Sequence, residues 1–480
     1  MIIVLILLVG WFLRVYNLDV NSMWADELRS FSRASLTDWK TARAALISAN
    51  HAPLYEWVIL HNWLEIGTTE FITRFLGALL SALTLSVTYS LGKLAFGSLA
   101  GLWAAFLLAI SPLHVSLVRQ IRPYALMALL VTLMVYCLLR AISSQRRWYW
   151  IAYSILGAAV LYTHYFSVFS LAALGLYVTW LAAVRRDFAL LRRWIMSSVA
   201  TGVMFLPWMM TFREQFADGA VEWILPLSVN TILELPGFFF LWNVFSDMSS
   251  IMVIVSSWIV ILFGLVAWLW VKQPEAGRRN FSIIAAVTIG TITLAAIASL
   301  FKPVFVARYF VGILPTLCVL FAYALIHRKL RRWLVVPVIL LLFAALTSSY
   351  LLVNRLTVEE WKGAVAYIEA NSNPGDTIIF VGDEKFWMGP FQHYYSGPAQ
   401  PRYVPGTLND PAVITAALES FCPCDRLWFI QSARHLTNTP AEDPFTDQSG
   451  YRLVERERFD RKLISSHLAV DVWLGEKEES

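Results

Sequence analysis

Charge is what this chain has least of. Only 15% of its 480 residues are Asp, Glu, Lys or Arg, and 58% are hydrophobic, whereas soluble domains carry roughly 25% charged and about 45–50% apolar residues. That shortage excludes the two or three soluble domains that the length alone would allow. Cysteine is scarce too, with four in all. Cys137 and Cys318 fall in apolar segments and read as small core residues. Cys422-Pro423-Cys424 lacks a second Cys or His pair at ligand spacing, so it gives no zinc pattern and reads as packing or a strained local disulfide. There is no Gly-rich phosphate loop, and no internal repeat of the kind that marks many transporters. The net charge of +5 does not point to nucleic acid, because the basic residues lie in short tracts between apolar segments.

What the chain has in abundance is apolar length. Residues 1–16 are apolar apart from Arg14, with no basic leader region or small-residue cleavage site, and read as an uncleaved first membrane helix. Further apolar segments fall near 72–92, 98–117, 123–139, 148–163, 165–184, 194–212, 250–271, 281–301, 304–326 and 333–353. The total is about eleven spans, each near the roughly 20 residues a bilayer requires. Basic residues mark alternate loops: Arg140/Arg146/Arg147, Arg185/Arg186/Arg192/Arg193, Lys272/Arg278/Arg279 and Arg328/Lys329/Arg331/Arg332. By the positive-inside rule those loops and the N-terminus are cytoplasmic. Loops 17–71, 118–122, 163–165, 213–249 and 302–304, with the tail after 354, then face the other side.

Two of these loops are long. Leu54–Leu64 is too polar to span and suits a helix lying in the interface with Trp at headgroup depth, and loop 213–249 has a similar aromatic stretch at Phe238–Trp242. Residues 1–353 thus form a membrane domain with interfacial helices, and 354–480 a small extracytoplasmic α/β domain. In that tail we expect a helix over Thr357–Ala370, a turn at Asn373-Pro374-Gly375-Asp376, a buried strand at Thr377–Val381, a second helix near 411–421, and strands near 426–431, 451–459 and 464–474.

The orientation gathers polar residues on one face. Asp26 and Glu27 follow the first span, His51 and Tyr55 lie in the same loop, and Arg74 starts the second span. Arg119, Gln120, Arg122 and Tyr124 crowd the turn between spans three and four, His164 and Tyr165 sit between spans five and six, and Lys302, Arg308 and Tyr309 flank the turn before span ten. Carboxylates at a membrane surface are costly unless something uses them. Together with several arginines they suit transfer from a lipid-linked phosphate: a carboxylate takes the proton of the attacking group, and arginines hold the phosphate as charge grows on it. Each residue also has an ordinary structural reading: a solvated acidic pair or helix cap for Asp26 and Glu27, snorkelling for Arg122 and Arg308, interface histidines for His51 and His164.

The motifs themselves have a family resemblance. Trp24-Ala25-Asp26-Glu27, His51-x-Pro53-Leu54-Tyr55, Pro112-Leu113-His114 followed by Arg119-Gln120-Ile121-Arg122-Pro123-Tyr124, His164-Tyr165-Phe166, and Pro303-Val304-Phe305-Val306-Ala307-Arg308-Tyr309 resemble, in content and order, the dolichyl-phosphate-mannose-protein mannosyltransferase-like glycosyltransferases, whose bacterial relatives include the lipid A aminoarabinose transferase. The resemblance implies the multispanning C-type glycosyltransferase fold, a polyprenyl-phosphate sugar as donor and an extracytoplasmic site in a prokaryotic inner membrane. It also implies Asp26 as base and Arg122 and Arg308 at the donor phosphate. Many relatives carry an acidic residue in the second motif where this chain has Gln120, which removes a second carboxylate from that motif.

The expectation is therefore an α-helical polytopic membrane protein that moves one sugar, with inversion, from a polyprenyl phosphate to a lipid, protein or glycan acceptor. Asp26 acts as base, with Glu27 and His51 orienting it or the acceptor. Arg122 and Arg308, joined by Arg74, Arg119, Tyr124 and Tyr309, bind the phosphate, and Tyr55, Gln120, His164 and Tyr165 face sugar or acceptor. No metal or other cofactor is indicated, and no nucleic acid. A ligase that transfers a preassembled glycan, a transporter or flippase of lipid-linked sugars, and a mere membrane anchor stay open as alternatives; transport would call for charged or Gly/Pro-broken segments at the bilayer centre.

Overall fold

A computed structural model describes residues 1–217, 224–241, 275–326, 328–354, 359–382, 384–405, 417–418, 425–432, 451–459 and 470–477. These form two compact units: Met1–Leu18 with Ser30–Tyr350, and Asp19–Arg29 with Leu351–Ser480. The C-terminal division between them falls at 350/351. The segment that carries Asp26 and Glu27 groups with the C-terminal residues, and the division falls inside the helix Ala25–Ala34.

The first unit is helical. Among the described residues, six helices are long and apolar enough to cross a membrane: Glu70–Phe96, Tyr124–Ser144, Tyr165–Arg185, Phe188–Gln215, Gly277–Ser299 and Ala307–Ile326. A seventh span arises if Ser98–Ala109 and Pro112–Val118, bent by 61° at their junction, count as one. Ile2–Val15 and Ile339–Asn354 are shorter apolar helices, and Arg147–Thr163 coincides with the expected span at 148–163. The span expected at 250–271 lies outside the described residues. Phe239 and Phe240, expected at the interface, are buried in the core of this unit on the helix Val229–Leu241. Cys137 and Cys318 are buried and unbridged, as read from their surroundings.

The bend at Pro112 has a chemical cause and a chemical remedy. Proline lacks the N–H that would bond the carbonyl four residues back, which strands carbonyls in mid-helix where no water is at hand. Arg14, fully buried, donates to the carbonyls of Ala109 at 2.8 Å and Leu108 at 3.0 Å. It also bonds Gly10 O and Ser81 Oγ, and lies 2.8 Å from His114 Nδ1. The hydroxyl of Ser349 donates to Ile110 O at 2.8 Å, while Ser111 Oγ caps the new helix by accepting from the N–H of His114.

The second unit holds a five-stranded sheet in the order β2-β1-β3-β5-β4, where β1 is Thr377–Gly382, β2 Gln400–Pro405, β3 Arg426–Ser432, β4 Tyr451–Phe459 and β5 Val470–Lys477. β1 runs parallel to β2 and β3, and β5 antiparallel to β3 and β4. Trp361, Ile368, Ile378, Phe380, Phe391, Trp428, Ile430 and Val472 build its core. The helix Trp361–Asn371, the turn at Gly375 (φ 105°) and strands β1, β3 and β4 match the reading of the sequence. β2 and the helix Glu384–Tyr394 were not anticipated: β2 carries Pro401 and Pro405, which an edge strand tolerates, and the helix contains Gly389-Pro390. β5 overlaps the strand expected near 464–474, whose first residues lie outside the described residues, as does most of the helix expected near 411–421.

This unit also anchors the acidic segment. The backbone N–H of Met23 donates to the hydroxyl of Tyr394 at 2.6 Å, that of Lys362 donates to Ser22 Oγ at 3.1 Å, and Lys362 Nζ donates to Asp19 O at 2.6 Å.

Candidate active site

Four loops that the orientation reading placed on one face of the membrane unit do meet there. Their meeting point is a carboxylate that the motifs did not single out. Leu54–Leu60 forms a π-helix that runs on through His61–Trp63, a conformation found mostly at functional sites. It turns Glu56 inward, where the residue is 1% exposed. Arg33 holds both carboxylate oxygens, Nε to Oε2 at 2.6 Å and Nη2 to Oε1 at 2.7 Å. Ser30 Oγ donates to Oε1 at 2.7 Å, and His51 Nδ1 lies 2.9 Å from the same oxygen. Arg122, 8% exposed, joins through Nη1 to Ser30 Oγ at 3.1 Å.

Burial opposes ionisation of Glu56, but the neighbouring His51 and the paired Arg33 outweigh it and hold the carboxyl well below its usual range. Burial also holds His51 below the ordinary histidine value, and Arg122 and Arg33 push in the same direction against the pull of Glu56. His164, in the turn after Arg147–Thr163, is lowered to about 3 by burial first and then by the charges of His51, Arg122 and Arg308. At neutral pH both imidazoles are therefore neutral within a field made positive by arginine.

Aromatic rings build the floor. His164 meets Tyr309 edge-on at 4.6 Å and Tyr124 at 6.2 Å. Arg122 lies 5.9 Å from the ring of Tyr124, and Arg308 5.8 Å from that of Tyr309. Tyr165 supports His51 from below: its hydroxyl donates to Gln215 Oε1 at 2.5 Å and receives Trp208 Nε1–H at 2.6 Å. Gln215 Nε2 donates to the carbonyl of His51 at 3.0 Å. Tyr165 is thus linked through Gln215 to the backbone of His51.

Other expected site residues stand elsewhere. Arg119 donates to the carbonyls of Leu13, Tyr16 and Asn17 at 3.2, 2.7 and 2.8 Å, and so caps the end of the first helix. Arg74 donates to Leu18 O at 3.1 Å. Both donate to backbone carbonyls at the end of the first helix and just after it. Tyr55 is buried beside Glu56, and Gln120 is half-buried in the turn before Arg122. Asp26 and Glu27 open the helix Ala25–Ala34; Asp26 lies 3.7 Å from Arg29, and Glu27 is 1% exposed.

The turn that bears Arg122 is set by contact with Gly77. A Cβ there would stand 2.1 Å from the carbonyl oxygen of Val118, so only glycine lets the helix Glu70–Phe96 approach this closely. Glu56 was missed in the sequence because it sits among apolar neighbours, and Ser30 and Arg33 because they lie in the polar helix Ala25–Ala34 outside the motifs. The one available signal was that Glu56 directly follows His51-x-Pro53-Leu54-Tyr55. Among the described residues no group of three or more His, Cys, Asp or Glu side chains converges as a metal site would require.

The fold is shared with solved membrane transferases, and part of the chain matches a family model. Residues 50–210 match the family of dolichyl-phosphate-mannose-protein mannosyltransferases, a stretch that includes His51, Glu56, Arg122 and His164. The resemblance of the motifs to that family is thereby borne out over this stretch. The structure of ArnT from Cupriavidus metallidurans bound to undecaprenyl phosphate aligns over 98% of this chain and 97% of its own, with a TM-score of 0.54 and 14% identity. Its apo form aligns over 90% of this chain and 92% of its own, at 0.50 and 15%. The Archaeoglobus fulgidus oligosaccharyltransferase in complex with zinc and sulfate aligns over 89% of this chain and 68% of its own, at 0.50 and 14%. At these identities the likeness is one of fold. No curated protein matches the sequence.

Proposed function

We propose that the protein is a membrane glycosyltransferase that moves a single sugar from a polyprenyl phosphate to an acceptor hydroxyl or amine at the extracytoplasmic face. The observation that carries this reading is the convergence of Arg122 and Arg308, two neutral histidines and aromatic rings at one end of the helical unit. An excess of fixed positive charge at a lipid–water boundary suits a lipid phosphate, and guanidinium groups suit its oxygens.

In the proposed reaction the acceptor oxygen or nitrogen attacks C1 of the sugar from the face opposite the phosphate, which inverts C1. The new bond forms as C1–O to phosphate breaks; that electron pair stays on the phosphate oxygen, and polyprenyl phosphate leaves. Asp26, with Glu27 beside it, takes the acceptor proton. Arg122 and Arg308 hold the phosphate and stabilise its growing charge. The phosphate is acidic enough to leave unprotonated, so no general acid is required.

The test uses membranes that contain the protein and a panel of undecaprenyl phosphates carrying radiolabelled mannose, glucose or aminoarabinose. Protein-dependent loss of label from the lipid, with its arrival on an acceptor, is expected. Label that crosses the bilayer still attached to its lipid would instead establish transport.

A further inference from the structure

Glu56 has no part in the reaction as written above, yet a carboxylate this deeply buried is costly unless its charge is used. Its partners show what it fixes. An ionised carboxylate only accepts hydrogen bonds, so His51 Nδ1, 2.9 Å from Oε1, carries the ring proton. The opposite nitrogen, Nε2, is then an acceptor. It has no hydrogen-bond partner among the described residues, and the side chain keeps 20% of its surface exposed. His164 is the other tautomer: its Nδ1 accepts the N–H of Phe166 at 3.3 Å, which leaves the proton on Nε2. One cluster therefore offers a neutral acceptor and a neutral donor side by side.

The charged and titratable groups around His51 come from every element packed on it: Glu56 from the π-helix, Arg33 from Ala25–Ala34, Arg122 from the turn after Val118, and His164 from the turn after Thr163. His51 and Arg122 are joined through Ser30 and Glu56 at 3.1, 2.7 and 2.9 Å. A phosphate held by Arg122 has its sugar attached, and the sugar offers hydroxyl donors where His51 offers an acceptor.

We propose that Glu56 is a positioning residue for the transferred sugar: it locks His51 with its Nε2 lone pair toward a sugar hydroxyl of the bound polyprenyl-phosphate donor. This inference rests on the transferase reading. It assigns phosphate recognition to the arginines and sugar recognition to the Glu56–His51 pair, so the two can be separated by ligands with and without the sugar.

The experiment compares wild type, Glu56→Gln and His51→Ala in nanodiscs, using binding of bare undecaprenyl phosphate, binding of undecaprenyl-phosphate mannose, glucose or aminoarabinose, and kcat/KM against pH. The bare lipid should bind all three proteins within about twofold. The sugar-charged lipid should bind the variants roughly tenfold more weakly, the scale of one lost hydrogen bond. Wild type should lose kcat/KM on the acid side as His51 is protonated. Because Glu56 favours the imidazolium, Glu56→Gln should move that limb to lower pH, and His51→Ala should remove it.

Equal weakening toward both lipids, or an acid limb unmoved by Glu56→Gln, would overturn the assignment. Should Glu56→Gln fail to fold, the two-lipid comparison on His51→Ala decides alone. Wild type that turns over none of the charged lipids would overturn the transferase reading itself and this inference with it. Turnover with indifferent variants would overturn this inference only.

Discussion

Two buried arginine sites in the same helical unit have opposite designs. Arg14 spends its guanidinium on carbonyls stranded by the break at Pro112, with His114 and Ser81 completing the set. Arg33 instead holds Glu56 together with a histidine whose far nitrogen has no partner among the described residues, and Arg122 reaches Glu56 through Ser30. A buried arginine that holds carbonyls across a helix break repairs the fold. One that shares a carboxylate with an imidazole leaves chemistry over. Arg119, only three residues from Arg122, shares with Arg14 the donation to carbonyls, here those of Leu13, Tyr16 and Asn17.

The largest effect that would sharpen this contrast is at Arg14. Arg14→Met leaves the carbonyl of Ala109 without its Arg14 donor in apolar surroundings, at about 1–3 kcal/mol, and takes one donor from Leu108 O, which keeps the backbone N–H of Ser111. The yield of folded protein in detergent, followed by size-exclusion and thermal unfolding, should collapse. Retained stability would mean that the break is held by other groups.

Arg122→Ala comes next and should behave differently: folded protein is recovered, turnover of charged lipid falls on the order of 10²–10³-fold, the scale for removing one donor to a developing charge, and binding of bare undecaprenyl phosphate weakens. Lost turnover with undiminished lipid binding would contradict the clamp. Gly77→Ala tests whether the turn must sit where it does. Its Cβ would collide with Val118 O, and displacing Arg122 by a fraction of an ångström should lower turnover on the order of tenfold to 10²-fold, measurable beside an unchanged extraction yield. The smallest effect is expected at Glu214→Ala, which breaks an exposed pair with Arg43 at 3.3 Å; unfolding should shift by under about 0.5 kcal/mol. A large shift there would blur the distinction between sites built on burial and those on the surface.

Much of this architecture was legible in the residues. Apolar length and basic loops gave the helices and placed His51, Arg122, His164 and Arg308 on a common face, because both signals come from the cost of polar groups in lipid. The sheet was legible where strands are apolar, as at Thr377–Gly382 and Arg426–Ser432, and not at Gln400–Pro405, whose prolines argue against a strand unless its position at the sheet edge is known. Glu56 was illegible for a related reason. Leu54–Leu64 has the polarity of an interfacial helix, and whether its one carboxylate faces water or protein depends on the π-helical turn and on Arg33, over twenty positions away. The grouping of Asp19–Arg29 with the C-terminal unit rests on bonds from Tyr394 and Lys362 that no local pattern announces.

The most direct measurement is turnover of radiolabelled undecaprenyl-phosphate sugars by wild type and Asp26→Asn, prepared side by side and matched for folded protein. The expected result is release of label from the lipid and its appearance on an acceptor with wild type, and loss of both with Asp26→Asn while bare undecaprenyl phosphate still binds. Equal turnover by the two proteins would remove Asp26 from the reaction and contradict the account.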